Sequence, residues 1–150
     1  MTTVYDVPAK DFIDEVAKRL EKIESISLPE ANIYSKTSVA RENSPEPDNW
    51  WYIRCASILR KIYMSKTIGT QQIRSAYGGK RNLGSKPHKA KTGGGSISRR
   101  AIQQLESAGY IKKIKGKGRS ITSEGRKFLD NTAHDVQKKV KNQYPGLEKY

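Results

Sequence analysis

The sequence has one cysteine and two histidines in 150 residues. Cys55 alone cannot close an internal disulfide, which fits a reducing compartment, and its place in an apolar stretch predicts a packed thiol rather than a reactive one. A zinc centre needs a full ligand set at motif spacing, and Cys55, His88 and His134 are too few and too scattered to supply it. No apolar run approaches the roughly 18 residues of a membrane-crossing helix, and the opening MTTVYDVPAKDF carries no apolar leader region. Hydrophobic residues are scarce as well, at 35%, with a mean hydropathy of −0.79. This length and polarity predict a single domain over residues 1–150, with a small core under a heavily charged surface.

The most uneven shortage is of acid. Residues 1–50 hold six Lys/Arg against ten Asp/Glu, a net of −4. Residues 51–120 hold seventeen against a single acid, Glu106, a net of +16, and residues 121–150 add +2 to give the total of +14. Surfaces without a polyanionic partner intersperse both signs, and self-repulsion at this level calls for an external anion, so the balance points to nucleic acid. The same shortage excludes a two-metal nuclease, which needs carboxylates inside its nucleic-acid surface. No His, Cys or acid cluster offers a nucleophile and base, so the expectation is a protein without enzymatic activity, cofactor, metal or small-molecule substrate. The glycine runs GGK and GGG superficially suggest a phosphate-binding loop. They lack both a preceding strand and a Gly-Lys-Ser/Thr entering a helix, which excludes nucleotide binding of that kind.

Hydrophobic spacing supplies the organisation. Phe12, Ile13, Val16, Leu20 and Ile23 recur at helical spacing and predict a helix over 9–24, with Asp11, Asp14 and Glu15 at the end its dipole favours. Residues 25–49, rich in Pro, Ser and Asn, read as a linker with one short helix. A helix over 50–65 is apolar nearly all round, as at the centre of a bundle. Its one solvent edge is expected to carry Trp50, Arg54, Ser57 and Lys61. A small helix over 70–77 turns Ile73, Ala76 and Tyr77 inward. Residues 78–95, including Lys80 and Arg81, have six basic residues (counting His88), no acid and no period; they predict a long loop, mobile without a partner. The next helix is capped by Ser96 and stopped by Gly109, with Ile97, Ala101, Ile102, Leu105 and Ala108 buried and Arg99, Arg100, Gln103 and Gln104 on other faces. A hairpin over 111–121 turns at Gly116-Lys117-Gly118 and carries Lys113, Lys115, Lys117 and Arg119 at its tip. Thr122 or Ser123 caps a last helix running to about 143, with Phe128, Leu129, Thr132, Val136 and Val140 on one side. The expected fold is mostly α, a helical bundle around a central amphipathic helix, winged-helix-like with a small basic β-hairpin.

Several collinear stretches reach nearly from end to end: TTVYDVPAKDFI, DNWWYIRCASILRKIY, IRSAYGGKRNLG, GSISRRAIQQLESAGYI and KGKGRSITSEGRKFLD. In these the chain resembles the eukaryotic-type small-subunit ribosomal protein nineteen family, in its short archaeal form. The resemblance implies a structural component of the small-subunit head that binds ribosomal RNA and lies among neighbouring small-subunit proteins. It also implies a part in assembly and precursor-RNA maturation, a cytoplasmic location, and a monomer when off the ribosome. By the same resemblance the RNA-facing residues are Trp51, Arg54 and Arg60, Arg99 and Arg100, and the hairpin with Lys115, Lys117 and Arg119; the charge pattern adds Lys61, Lys80 and Arg81. Trp51 lies about 60° round the helix from the Arg54 stripe, so core and contact both remain open for it. The chain departs from the family pattern at Ala31, where Trp is usual, at Ser38, where Gly is usual, and over 89–92, where archaeal members carry aromatics.

The alternative is a winged-helix regulator of transcription on DNA, which the charge, wing and helix pair suit equally well. A DNA-reading helix-turn-helix joins its helices by about three or four residues, whereas the 18 residues of 78–95 intervene here. An insertion of that size suits irregular folded RNA better than a regular groove.

Overall fold

The computed structural model describes residues 1–143 and 145–149. Its helices are α1 (Ala9–Leu20), α2 (Trp50–Ser65), α3 (Thr70–Ala76), α4 (Gly95–Ser107) and α5 (Ser123–Val140). Its strands are β1 (Thr67–Ile68), β2 (Gly79–Arg81), β3 (Lys89–Lys91), β4 (Ile111–Ile114) and β5 (Gly118–Ile121). Short 3-10 turns lie at Val4–Asp6, Glu30–Asn32 and Pro145–Lys149.

The apolar α2 becomes the axis of the molecule because Cys55, Ala56, Ile58, Leu59 and Ile62 leave no accessible surface. Phe12, Val16 and Leu20 bring α1 against it, and the buried hydrophobic residues form one continuous cluster. Cys55 packs inside this cluster as expected. Desolvation there pushes its thiol pKa up to about 12, which removes the thiolate needed for reaction.

β1, β5 and β4 form a three-stranded antiparallel sheet in that order. With α2, β1, α3, α4, β4, β5 and α5 in that order along the chain, and β2 and β3 inserted between α3 and α4, this is the arrangement of a winged helix. α4 stands in the position of the reading helix, and the β4–β5 hairpin is the wing. The two-residue strand β1, paired through Thr67–Ser120 and Ile68–Arg119, is a part the sequence did not disclose. Its closeness to β5 depends on Gly118, whose φ is +98° and where a β-carbon would lie 2.5 Å from the Ile68 carbonyl oxygen.

Other boundaries differ from the sequence expectation. α1 ends at Leu20 rather than at residue 24, because the amides of Ile23 and Ile26 bond Leu20 and Ile23 carbonyls three residues back, and this tighter turn buries Ile26. Thr122 caps α5 by accepting from the Gly125 amide, and that helix ends at Val140 rather than near 143. Residues 78–95 are not an irregular loop. β2 and β3 pair as a second hairpin through Gly79–Lys91, Lys80–Ala90 and Arg81–Lys89. The base of this hairpin is fixed by backbone bonds from the Gly93 amide to the Arg74 carbonyl and from the Gly94 amide to the Thr37 carbonyl, both 2.8 Å. A β-carbon on Gly94 would lie 2.9 Å from that Thr37 oxygen. This close approach moves the start of α4 to Gly95 with Gly94 as its cap, two residues earlier than the Ser96 expected.

Two outcomes follow from this packing. Gly118→Ala is expected to lower stability by roughly 1–3 kcal/mol, read as a drop in thermal midpoint. Cys55 is expected to resist alkylation in the native protein at mildly alkaline pH and to react once the chain is unfolded.

Candidate nucleic-acid interface

The expected contact residues divide into those the fold holds inside and those it displays. Trp51 belongs to the first group: it has 0% exposure, and its indole N–H donates to Gln104 Oε1 at 2.9 Å. Contact with RNA at Trp51 is therefore corrected to a core role. The 60° offset from the Arg54 stripe turns the ring between α2 and α4, where Gln104 satisfies its one polar atom. Trp50, expected on the solvent edge, is also covered, with 8% exposure. It lies edge-on to Trp51 at 5.6 Å, under the segment carrying Pro45 and Pro47.

Arg54 and Lys61 do share an edge, and what joins them is Tyr77. The Arg54 guanidinium lies 3.9 Å from the centre of the Tyr77 ring and the Lys61 ammonium 5.3 Å from it. The Tyr77 hydroxyl is 2.6 Å from Ser57 Oγ, so α3 is clamped to α2 by a neutral hydrogen bond and a cation–π contact. Desolvation lowers the Arg54 pKa. Burial raises the Tyr77 phenol despite its bond to Ser57. Arg60 stands apart from this edge: six residues on, it lies about 120° round the helix from Arg54. Its Nε is buried without a partner.

α4 is strapped along one flank. Gln104 Nε2 donates to the Ser27 carbonyl at 2.7 Å and its Oε1 accepts from the Ser27 amide at 3.3 Å. One turn earlier, Arg100 donates to the buried Asn32 Oδ1 at 2.6 Å. Arg99 projects into solvent from the free flank. Further along the strap, Ser38 donates to the Thr92 carbonyl at 3.3 Å and accepts from the Ala40 amide at 3.1 Å. The side chain at the unusual Ser38 thus bridges the strap to the base of the second hairpin. Val39 and Lys36 of the strap meet Arg81 around a shallow pocket of about 280 Å³.

The two hairpins display the remaining cations. Lys80, Arg81, Lys89 and Lys91 are exposed on β2–β3, with Arg81 directly opposite Lys89. Like charges facing across a ladder repel, so this hairpin is better stabilised by an anion than by itself. Lys115 and Lys117 are exposed at the tip of the wing. Arg119 is not at the tip as expected. It points back to α4 and donates from Nε to Glu106 Oε1 at 3.1 Å, with a longer contact to Thr70 at 3.4 Å. The one acid of residues 51–120 is thereby engaged inside the protein.

Sequence reasoning passed over Tyr34, which is 93% exposed on the strap, and treated Tyr77 only as an inward residue. Neither lies in a periodic stretch long enough to reveal its orientation. Among the described residues no group of three His, Cys, Asp or Glu is placed to hold a metal ion, and no helix is long and apolar enough to cross a membrane.

A reading helix strapped on one flank, a basic wing and an inserted basic hairpin define a winged-helix-like protein with a polycationic face. The chain belongs to the ribosomal protein S19e family, whose model matches residues 3–139. It is 41% identical over 152 residues to the small ribosomal subunit protein eS19 of Aeropyrum pernix, an alignment covering 100% of this chain and 99% of that protein. The protein of the same name from Haloarcula marismortui is 38% identical over 154 residues, covering 100% and 99%. That from Entamoeba histolytica is 39% identical over 137 residues, covering 91% of this chain and 88% of the relative.

The contrast between Arg119 and Lys117 is open to measurement. Arg119→Ala should cost about 1–2 kcal/mol of stability by leaving Glu106 unpaired, whereas Lys117→Ala should stay within about 0.5 kcal/mol. Equal thermal midpoints for the two variants would return Arg119 to the surface group.

Proposed function

We propose that this chain is a structural component of the small ribosomal subunit that binds ribosomal RNA through the cations of α2, α4, the β2–β3 hairpin and the wing. The observation that carries this reading is the engagement of Glu106 by Arg119. It leaves the displayed cations of residues 51–120 with no carboxylate from their own region, and among the described residues none of them is ion-paired with an acid from elsewhere in the chain, which supports a partner as the source of the neutralising anion. The names of the relatives support the small subunit as the setting. By the family resemblance the chain acts during subunit assembly and precursor-RNA maturation, beside neighbouring small-subunit proteins, in the cytoplasm and as a monomer when off the ribosome. Its role is to fold and hold RNA and not to catalyse a reaction.

RNA is favoured over DNA by the strap. The bonds from Ser27 and Asn32 to Gln104 and Arg100 occupy one flank of α4, and the β2–β3 hairpin stands before its N-terminus. A helix flanked in this way is obstructed from lying along a regular major groove, while irregular RNA crevices accept a helix edge, a wing and a second hairpin together. Binding is mainly electrostatic, with selection by shape.

Affinity for small-subunit RNA should fall steeply with salt, and loss of one phosphate-contacting cation such as Lys117 should reduce the log–log slope by about one. Arg54→Glu should weaken co-sedimentation with the small subunit on sucrose gradients while the variant still melts cooperatively. Salt-independent RNA affinity, or wild-type protein absent from the small-subunit fraction, would overturn the reading.

A further inference from the structure

Beside the Arg54–Tyr77 contact lies a pocket of about 250 Å³ walled by Trp50, Ile53, Pro45, Pro47, Arg54 and Tyr77. Its volume falls just below the roughly 300–1,000 Å³ of sites for drug-sized ligands, which suits a single ring system. The walls are two aromatic rings, apolar side chains and one cation, with no carboxylate among the lining residues. Arg54 is the informative wall. It is half-buried, its hydration is reduced enough to lower its pKa, and one side of it is taken by the Tyr77 ring. Among the described residues no hydrogen-bond acceptor or carboxylate meets its guanidinium. A partly desolvated cation with unfilled donors is unfavourable unless a ligand brings acceptors to it. The Tyr77 hydroxyl is already engaged by Ser57, so the ring is held in place and not free to serve Arg54 in any other way.

We infer that this pocket takes one unstacked nucleobase of the bound RNA, with the Arg54 guanidinium layered between the Tyr77 ring and the base. Unpaired bases of folded RNA are commonly held on aromatic and guanidinium planes. The guanidinium N–H groups then point outward from the stack, where ribose and phosphate oxygens of the same strand supply the acceptors that Arg54 lacks. The neighbouring Lys61, on the same ring of Tyr77, suits the phosphate that accompanies the base. The inference rests on RNA binding as proposed above, but it adds a local readout of an extruded base to a surface otherwise selective by shape and charge.

The test uses the full chain and a panel of short RNA hairpins of equal phosphate number. One set has a single unpaired adenosine or uridine, one has the same nucleotide made abasic, and one is fully paired. Wild-type protein should bind at least one bulged RNA about ten-fold more tightly than its abasic counterpart, with equal salt slopes, as expected for stacking of one base. Arg54→Lys keeps the charge but loses the stacking plane, so the preference should collapse to about one-fold while the salt slope stays. If Arg54→Lys fails to melt cooperatively, Thr37→Leu reads the same loss, since Thr37 lines the pocket and only its backbone oxygen holds Gly94. Bulged and abasic RNAs bound equally, but with a steep salt slope, would overturn the base pocket and leave RNA binding standing. Weak, salt-independent binding to the whole panel would remove both.

Discussion

With one carboxylate among seventeen cations, residues 51–120 cannot be held together by ion pairing. Every other element of that region must be fixed by apolar packing or by neutral and singly charged hydrogen bonds, and the structure shows which ones serve. The Gln104 amide joins Trp51 of α2 to the Ser27 backbone of the strap. Ser57 and Tyr77 join α2 to α3. Arg74 holds the base of the β2–β3 hairpin through the Gly93 carbonyl and Thr92 hydroxyl, both at 3.2 Å. Because these acceptors are amides, hydroxyls and carbonyls, they position the basic side chains without neutralising them. The charge remains available to a polyanion.

The other half of the molecule is organised by the opposite means. Arg19 of α1 pairs with Asp135 of α5 at 2.6 Å, and Lys139 of α5 pairs with Glu15 of α1 at 2.9 Å. The bond from Lys139 lowers the Glu15 pKa, and the bond from Arg19 lowers that of Asp135. These pairs are partly exposed and individually modest, but they tie α1 to α5 through one acid and one cation of each helix. The segregation of charge visible along the chain is thus also a segregation of bonding: mutual neutralisation at the α1–α5 layer, and deliberate shortage of it across the winged-helix portion.

Elements with a strong period were legible in the sequence. The limits of α2 coincide with those read from its apolar pattern, and the wing turns where its glycines indicate. What stayed hidden depends on contacts distant in sequence. β1 is two residues long and acquires its strand character only by meeting β5. β2 and β3 are exposed on both faces, so no alternation of hydrophobic and polar residues marks them. The start of α4 is set by Thr37, 57 positions before the Gly94 amide it accepts from. Helical angles placed Trp51 at the border between core and surface, and the fold decided through Gln104. Likewise, Arg119 reads as one more cation of the hairpin until Glu106 is seen beside it. Charge composition located the interface region but could not distinguish a displayed cation from a structural one.

The meeting of α1 with α5 has a consequence for the order of events in synthesis. Thr2 hydrogen-bonds Gln137 across 135 positions of sequence, so the layer shared by α1 and α5 waits for α5 to emerge. Until then α1 has α2 to pack on but lacks α5, while the cation-rich middle is already made. A polyanion could therefore meet that middle before the closing layer is complete, and α5 would then act as the clasp that fixes an arrangement begun without it.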